Sequence, residues 1–358
     1  MRKESFILAA LLVASFEVLA FGQSLDIPSK RWGISFGNST EFTGLRFNFR
    51  DKNIRRIDGV NISVWHGDDL EYATGKIRGV GIGLPLASGT RYRAGFSVGL
   101  FGVAAGDDMH GVNVAGLAVG CGRDLVGVNV AGLAVGSGGN VKGLNAALLA
   151  VGAGDDVYGI NVAGLAMGAG KSITGLNIGG LAAGAGEDVS GISLSLLAVG
   201  SGENMTGISV AGLAAGCGEN LTGLSVAGLA VGSGETTRGV TVAGLAVGCG
   251  DELTGISVAI LAVGAPVAKG LQAALVVGGE EVRGINLAPA YFRITGNGEM
   301  TGFSVSAFNH IQGYQRGLAI GLFNHTYDIK GLQVGLLNHV STNPKWLKWL
   351  PLFNTRFS

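Results

Sequence analysis

Three sets of side chains have the chemistry to do more than fill space. The first is a series of acidic turns: Asp107-Asp108, Asp155-Asp156, Glu187-Asp188, Glu203-Asn204, Glu219-Asn220 and Asp251-Glu252, each following a glycine. Carboxylates gathered at the same end of successive strands supply the hard oxygens that calcium prefers. The Gly-Gly-x-Gly-x-Asp nonapeptide of calcium-binding β-rolls is absent, however, and Gly139-Asn140 and Lys171-Ser172 interrupt the series. Solvated turns are the expectation and calcium the alternative. The second set is His310, His325 and His339, one in each of three successive units that end in Phe-Asn-His or Leu-Asn-His. If those units stack, the imidazoles come within a strand spacing of one another, close enough to share a metal such as zinc. No carboxylate or cysteine accompanies them at fixed spacing. Polar residues at strand exits are therefore expected, and no metal ligand is assigned.

The third set is Cys121, Cys217 and Cys249, which share one position of a repeat where other copies carry Ser or Ala. A small residue at a turn explains them. Cys217 and Cys249 are two units apart, which at the strand spacing puts their Cα atoms ~9–10 Å from each other, beyond disulfide reach. Catalytic constellations are missing from the text. There is no G-x-S-x-G elbow, no H-E-x-x-H and no P-loop lysine motif. Gly-x-Gly recurs in nearly every unit, but at a β turn with no helix after it, which argues against a dinucleotide cradle. No catalytic residue and no cofactor are expected.

The element that must position these groups is a 16-residue sentence repeated ten times, with units beginning at Gly111, Gly127, Gly143, Gly159, Gly175, Gly191, Gly207, Gly223, Gly239 and Gly255. Its consensus, positions 1 to 16, is G-[VIL]-[NST]-V-A-G-L-A-V-G-[SAC]-G-[ED]-[ND]-[LVM]-[TS]. A strict short period marks a repeat architecture in which each unit buries its apolar face against its neighbours. A helix would carry four glycines per unit at ~1 kcal/mol each relative to Ala, so the fold is β. The large apolar residues at positions 2, 4, 7, 9 and 15 step by two within groups and slip parity between them, with a Gly or small residue at each slip. Short strands joined by bends, with all of these residues inward, account for that pattern. The expected fold is an all-β, repetitive β-solenoid with one coil per unit. Positions 11 to 14 are its exposed turn, and Asn113, Asn129, Asn145, Asn161 and Asn177, continued by Ser193, Ser209, Ser225, Thr241 and Ser257, form a hydrogen-bonding ladder. The Ala and Gly residues at positions 5, 8 and 10 would form a flat apolar face.

The alternative is an antiparallel outer-membrane β-barrel with one strand per unit, since strands near ten residues match a bilayer. Leu196 and Ile260, in place of Gly at position 6, weaken a coil corner and favour that alternative. So does the stretch Leu45 to Arg50, where Leu45, Phe47 and Phe49 alternate with Arg46, Asn48 and Arg50. The central units lack the polar lumen face and aromatic girdles a barrel needs.

Composition agrees with export and not with nucleic-acid binding. The 358 residues include 65 glycines, only 14% are charged, and the net charge is zero, leaving no basic block to displace counterions from phosphates. The mean hydropathy of +0.42 is high enough that some apolar surface is expected to meet lipid or a partner. Residues 1–22 read as a signal peptide, with Arg2 and Lys3, an apolar run from Phe6 to Phe16, and Ala20-Phe21-Gly22 as the cleavage site. Beyond it, 23–78 reads as an amphipathic β segment or cap, 79–269 as the regular array, and 270–358 as divergent repeats with a C-terminal cap. In that last segment unit lengths loosen to 14, 15 and 18.

The stretches Thr43 to Arg50, Gly317 to Asn324, Gly331 to Asn338 and Leu350 to Asn354 resemble the G-L-Q-I-G-L-x-N units of uncharacterised bacterial surface-repeat proteins, a family with signal peptides known chiefly from spirochaetes. The resemblance covers about 44–65 and 302–358 and is looser in the centre. It implies export and a cell-surface or outer-membrane setting and transfers no catalytic residue. The functional expectation is an exported, non-enzymatic surface scaffold or adhesion module with an unknown macromolecular or self-association partner, possible membrane contact and no nucleic acid. A barrel pore or transporter is the alternative.

Overall fold

The computed structural model describes residues 24–71 and 73–357; the expected signal peptide, 1–22, lies outside them. The chain is an all-β solenoid of about 15 turns with a period near 16 residues, and not a barrel. The deciding feature is strand direction. Equivalent residues of successive units pair in parallel, as Gly127 with Gly143 and Asn129 with Asn145, so strands 16 residues apart lie side by side. A barrel built one strand per unit would alternate direction. Two compact units, 1–179 and 180–358, are resolved.

Each regular coil has two walls. The long wall is a seven-residue strand from position 15 to position 5, such as Val141–Ala147; the short wall is a four-residue strand from 8 to 11, such as Ala150–Ala153. Positions 6 and 7 make one corner and 12 to 14 the other. Gly at position 1 bends the long wall and has positive φ throughout, +115° at Gly143 and +111° at Gly159. A Cβ on Gly159 would stand 2.2 Å from the carbonyl oxygen of Gly143, so only glycine lets consecutive coils approach.

In the first unit this glycine column starts before the regular array. Trp32–Gly37, Glu41–Asn48, Arg56–Ser63, Lys76–Gly83 and Tyr92–Gly99 pair in parallel, stacking Gly33, Gly44, Gly59, Gly79 and Gly95. Residues 32–78 are therefore coils of the same kind with uneven turns. Ser24–Pro28 runs antiparallel along the first of them and covers its free edge. The second unit has a glycine column of its own, through Gly255, Gly270 and Gly284 in register. Gly302, Gly317 and Gly331 each face the carbonyl of the preceding member, so the irregular unit lengths change the turns and not the stack. Trp349–Asn354 closes the last edge in antiparallel register, with Gln333 opposite Asn354 and His339 opposite Trp349. Covered edges deny foreign strands a template.

Inward positions are few: 3, 5, 9 and 15. Asn145, Ala147, Val151 and Val157 fill one coil and are all buried. The large apolar residues at 2, 4 and 7 point outward, which corrects the expectation that they fill the interior. The reason is strand parity. Once 15, 3 and 5 face in along one strand, 2 and 4 must face out, and two walls this close leave no further slots. Position 5 is buried too, so the small-residue face is confined to 8 and 10. Leu196 and Ile260 do not disturb their corners; they project from them, 69% and 63% exposed. The same inversion holds at Leu45 to Arg50. Arg46 and Asn48 are buried while Phe47 and Phe49 are exposed.

Within the ladders the interior asparagines pair with one another by repetition. Asn113 donates to Asn129, Asn129 to Asn145 and Asn145 to Asn161, each Nδ2 to Oδ1 at 2.8 Å, and Asn161 to Asn177 at 3.0 Å. A carboxamide presents both donor and acceptor, so identical side chains one strand spacing apart pair without any other partner. In the second unit, Asn309 donates to Asn324 and Asn324 to Asn338, both at 2.7 Å. Near the other end, Arg46 is sealed in with Asp51, Asn61 and Asn38, and Asp51 also accepts from Ser63.

Candidate functional site

The outer surface consists of columns, because every outward position repeats at the strand spacing. In the second unit the five coils from Gly191 to Gly264 set out position 2 as Ile192, Ile208, Leu224, Val240 and Ile256. Beside it runs position 4 (Leu194, Val210, Val226, Val242, Val258), and at the corner position 7 (Leu197, Leu213, Leu229, Leu245, Leu261). The corner leucines are 42–48% exposed. Together the three columns expose an apolar area on the order of 1,000 Å², well above the ~300–600 Å² that the largest patch on a typical monomer covers. The first unit carries the same columns, with Leu144 and Ile160 at position 2, Val130, Val162 and Ile178 at position 4, and Leu117, Leu133, Leu149 and Leu165 at the corner. β-Branched residues suit an extended strand whichever side they face, so the long wall keeps its geometry with its apolar side chains turned out.

Polar columns flank the apolar ones. Position 16 reads Ser190, Thr206, Thr222, Arg238 and Thr254, and position 13 reads Glu187, Glu203, Glu219, Glu235 and Asp251. The acidic column is held by its backbone, each N–H from Glu203 to Asp251 donating to the carbonyl of the residue 16 before it, as Glu203 to Glu187 at 2.8 Å. Partial burial and then the neighbouring carboxylates Glu219, Glu187 and Asp188 raise the Glu203 carboxyl above its ordinary value. In the first unit the turn acids meet cations: Arg91 pairs with Asp107, Arg123 with Asp108 at 2.6 Å, and Lys171 with Asp155 at 2.8 Å. Among the described residues no group of three or more His, Cys, Asp or Glu is placed to hold a metal ion.

The three thiols stand where the period puts them. Cys217 pairs with Ser233, and Ser233 with Cys249, so a full coil separates the two cysteines. All three are free, and burial raises each thiol, Cys121 to about 12, which leaves them protonated and poorly nucleophilic at neutral pH.

The histidines do form a column. In each Phe-Asn-His ending the asparagine is buried and its two neighbours face out. His310 and His325 lie with ring centroids 5.2 Å apart, and His325 and His339 4.7 Å apart. Tyr291 Oη is 2.9 Å from Nδ1 of His310, and the Trp349 ring lies 4.2 Å from that of His339. Burial and then the charges of His339 and His310 push His325 down to about 4. Burial lowers His310 and His339 as well, helped by Arg293 and Lys348 respectively.

The apolar columns are what sequence reasoning misplaced, and a signal for them was present. An Asn at position 3 of five consecutive units makes a ladder only if it is sheltered from water, and parity then turns positions 2 and 4 outward. Comparison with protein-family models, with curated proteins and with solved structures finds no match for this chain.

Proposed function

We propose that this chain is an exported, non-enzymatic scaffold of a bacterial cell surface or outer membrane that works as an interaction or adhesion module. The observation that carries the reading is the outward apolar face formed by positions 2, 4 and 7. Water-exposed columns of Val, Ile and Leu have a standing free-energy incentive to be covered, at ~25 cal/mol per Å² removed from water. A rigid stack presents the same short motif many times, which converts weak individual contacts into avidity. The resemblance of both ends to bacterial surface-repeat proteins supports the setting, and the absence of a basic block supports a partner other than nucleic acid.

The test compares the protein with an Ile208→Lys/Leu224→Lys variant in sedimentation velocity and in flotation with phosphatidylcholine vesicles. Concentration-dependent association or vesicle capture that the variant loses is the expected result. A parent chain that stays monomeric, ignores vesicles and binds none of the hydrophobic dye ANS would sink the apolar-face reading.

A further inference from the structure

The outward face of the last coils carries chemistry that a purely apolar docking surface does not use. Phe308-Asn309-His310, Phe323-Asn324-His325 and Leu337-Asn338-His339 alternate out, in, out, with the buried asparagines locked in a ladder. That ladder fixes the backbone positions of the histidines. Simple translation by one strand would leave equivalent ring atoms about 4.8 Å apart. Instead Nδ1 of His339 lies 2.7 Å from Nδ1 of His325, while the ring centroids are 4.7 Å apart and the planes differ by 8°. Those three values together require one ring to be turned over relative to the other, so that the two Nδ1 atoms face each other nearly edge to edge. One of them donates its proton and the other accepts it. The pair is partly open to solvent and is supported on one side by Trp349 and on the other by His310.

Two facing nitrogens that share one proton present converging lone pairs once that proton moves to Nε2 of its own ring. We propose that His325 and His339 bind a late first-row divalent ion, Cu²⁺ in preference to Zn²⁺, between their Nδ1 atoms. Each imidazole stays neutral, because the displaced proton is relocated and not lost. Neutral nitrogen donors without a carboxylate select Cu²⁺, Ni²⁺ and Zn²⁺ over Mg²⁺ and Ca²⁺, and the Irving–Williams order places Cu²⁺ first. Metal–nitrogen distances of ~2.0–2.1 Å need the two nitrogens to part by roughly half an ångström, within the reach of side-chain rotation. Two protein ligands leave the remaining positions to water. His310 is not a ligand; its Nδ1 is engaged by Tyr291.

The test titrates the tag-free full chain with CuCl₂ and, separately, ZnCl₂, following tryptophan emission and the nitrogen hyperfine pattern of bound Cu²⁺ by electron paramagnetic resonance. Saturable one-to-one binding is expected, with quenching through the adjacent Trp349 and coupling to two imidazole nitrogens. His325→Ala and His339→Ala should each weaken the apparent affinity at least tenfold, while His310→Ala and a His66→Ala/His110→Ala variant should change it less than threefold. Thermal melts of His325→Asn and His339→Asn, which keep polar side chains at these outward positions, show that the variants are folded. Unsaturable binding, or an affinity that survives in folded His325→Asn/His339→Asn, overturns the proposal.

Discussion

Asn145 donates to Asn161 at 2.8 Å across one coil, and both carboxamides are shut away from solvent, while the residues on either side of them, Leu144 and Ala146 on one strand and Ile160 and Val162 on the next, are apolar and face out. Polar ladder inside and apolar columns outside is the reverse of the usual arrangement for a soluble sheet. It is stable because a carboxamide repeated at the strand spacing is its own partner. It also leaves the apolar face free for something else.

Breaking one rung should be costly because its neighbours cannot find water. Asn145→Ala removes the acceptor used by Asn129 and the donor used by Asn161. Each orphaned buried group costs ~1–3 kcal/mol, so the urea midpoint should fall clearly. An unchanged midpoint would mean that the ladder is not sheltered.

Leu221 and Leu224 lie three residues apart and face opposite ways, 1% and 37% exposed. Leu221→Ala should destabilise by ~2–5 kcal/mol, and Leu224→Lys by no more than ~0.5 kcal/mol. Equal losses in chemical denaturation would contradict the in–out assignment on which the apolar face depends.

Two glycines of neighbouring coils make a backbone test. Gly159 has φ +111° and a carbonyl oxygen 2.2 Å from where a Cβ would sit; at Gly152 the nearest atom would be 3.6 Å away and φ is ordinary. Gly159→Ala should cost at least ~1–3 kcal/mol from the strained backbone alone. Gly152→Ala should be neutral or slightly stabilising through the unfolded chain. Comparison of their melting temperatures decides it.

Acid should act at Asp51. Burial by itself would raise its carboxyl, but the Arg46 charge and hydrogen bonds from Ser63, Arg46 and Asn48 outweigh it and hold the group below the ordinary 3.8. A carboxylate lowered on folding contributes stability above the unfolded value and loses it as pH falls through the folded one. Stability of residues 24–71 should therefore drop below about pH 4. Asp51→Asn should abolish that acid step while costing ~3–5 kcal/mol at neutral pH, because Arg46 is left buried without its partner charge. Hydrogen exchange across the pH series reads both effects.

His325 sets a second pH window. Its folded value is lowered from 6.5 to about 4. The unfolded chain thus binds the proton more readily, and stability is lost as pH falls from 6.5 towards 4. Trp349 emission should shift over that interval in the parent and not in His325→Asn.

Much of this was legible in the sequence. The period is written in the glycines at position 1, and a strict 16-residue spacing narrows the fold to a solenoid or a barrel; the parallel pairing of successive coils decides between them. The Asn113 to Asn177 series announces a ladder, and the free cysteines are explained by a spacing of two coils. The direction in which Ile208, Val210 and Leu213 point could not be read from apolar content, because both sides of the long wall are largely apolar and hydrophobicity alone favours putting the larger residues inside. Only the tertiary structure decides it. Two walls joined by tight corners leave four inward slots per coil, the amide ladder claims one of them, and strand parity sends the remaining large side chains to the surface. The pairing of His325 with His339 is likewise tertiary, because the spacing fixes their backbones while the facing of their nitrogens depends on a ring orientation that no spacing records.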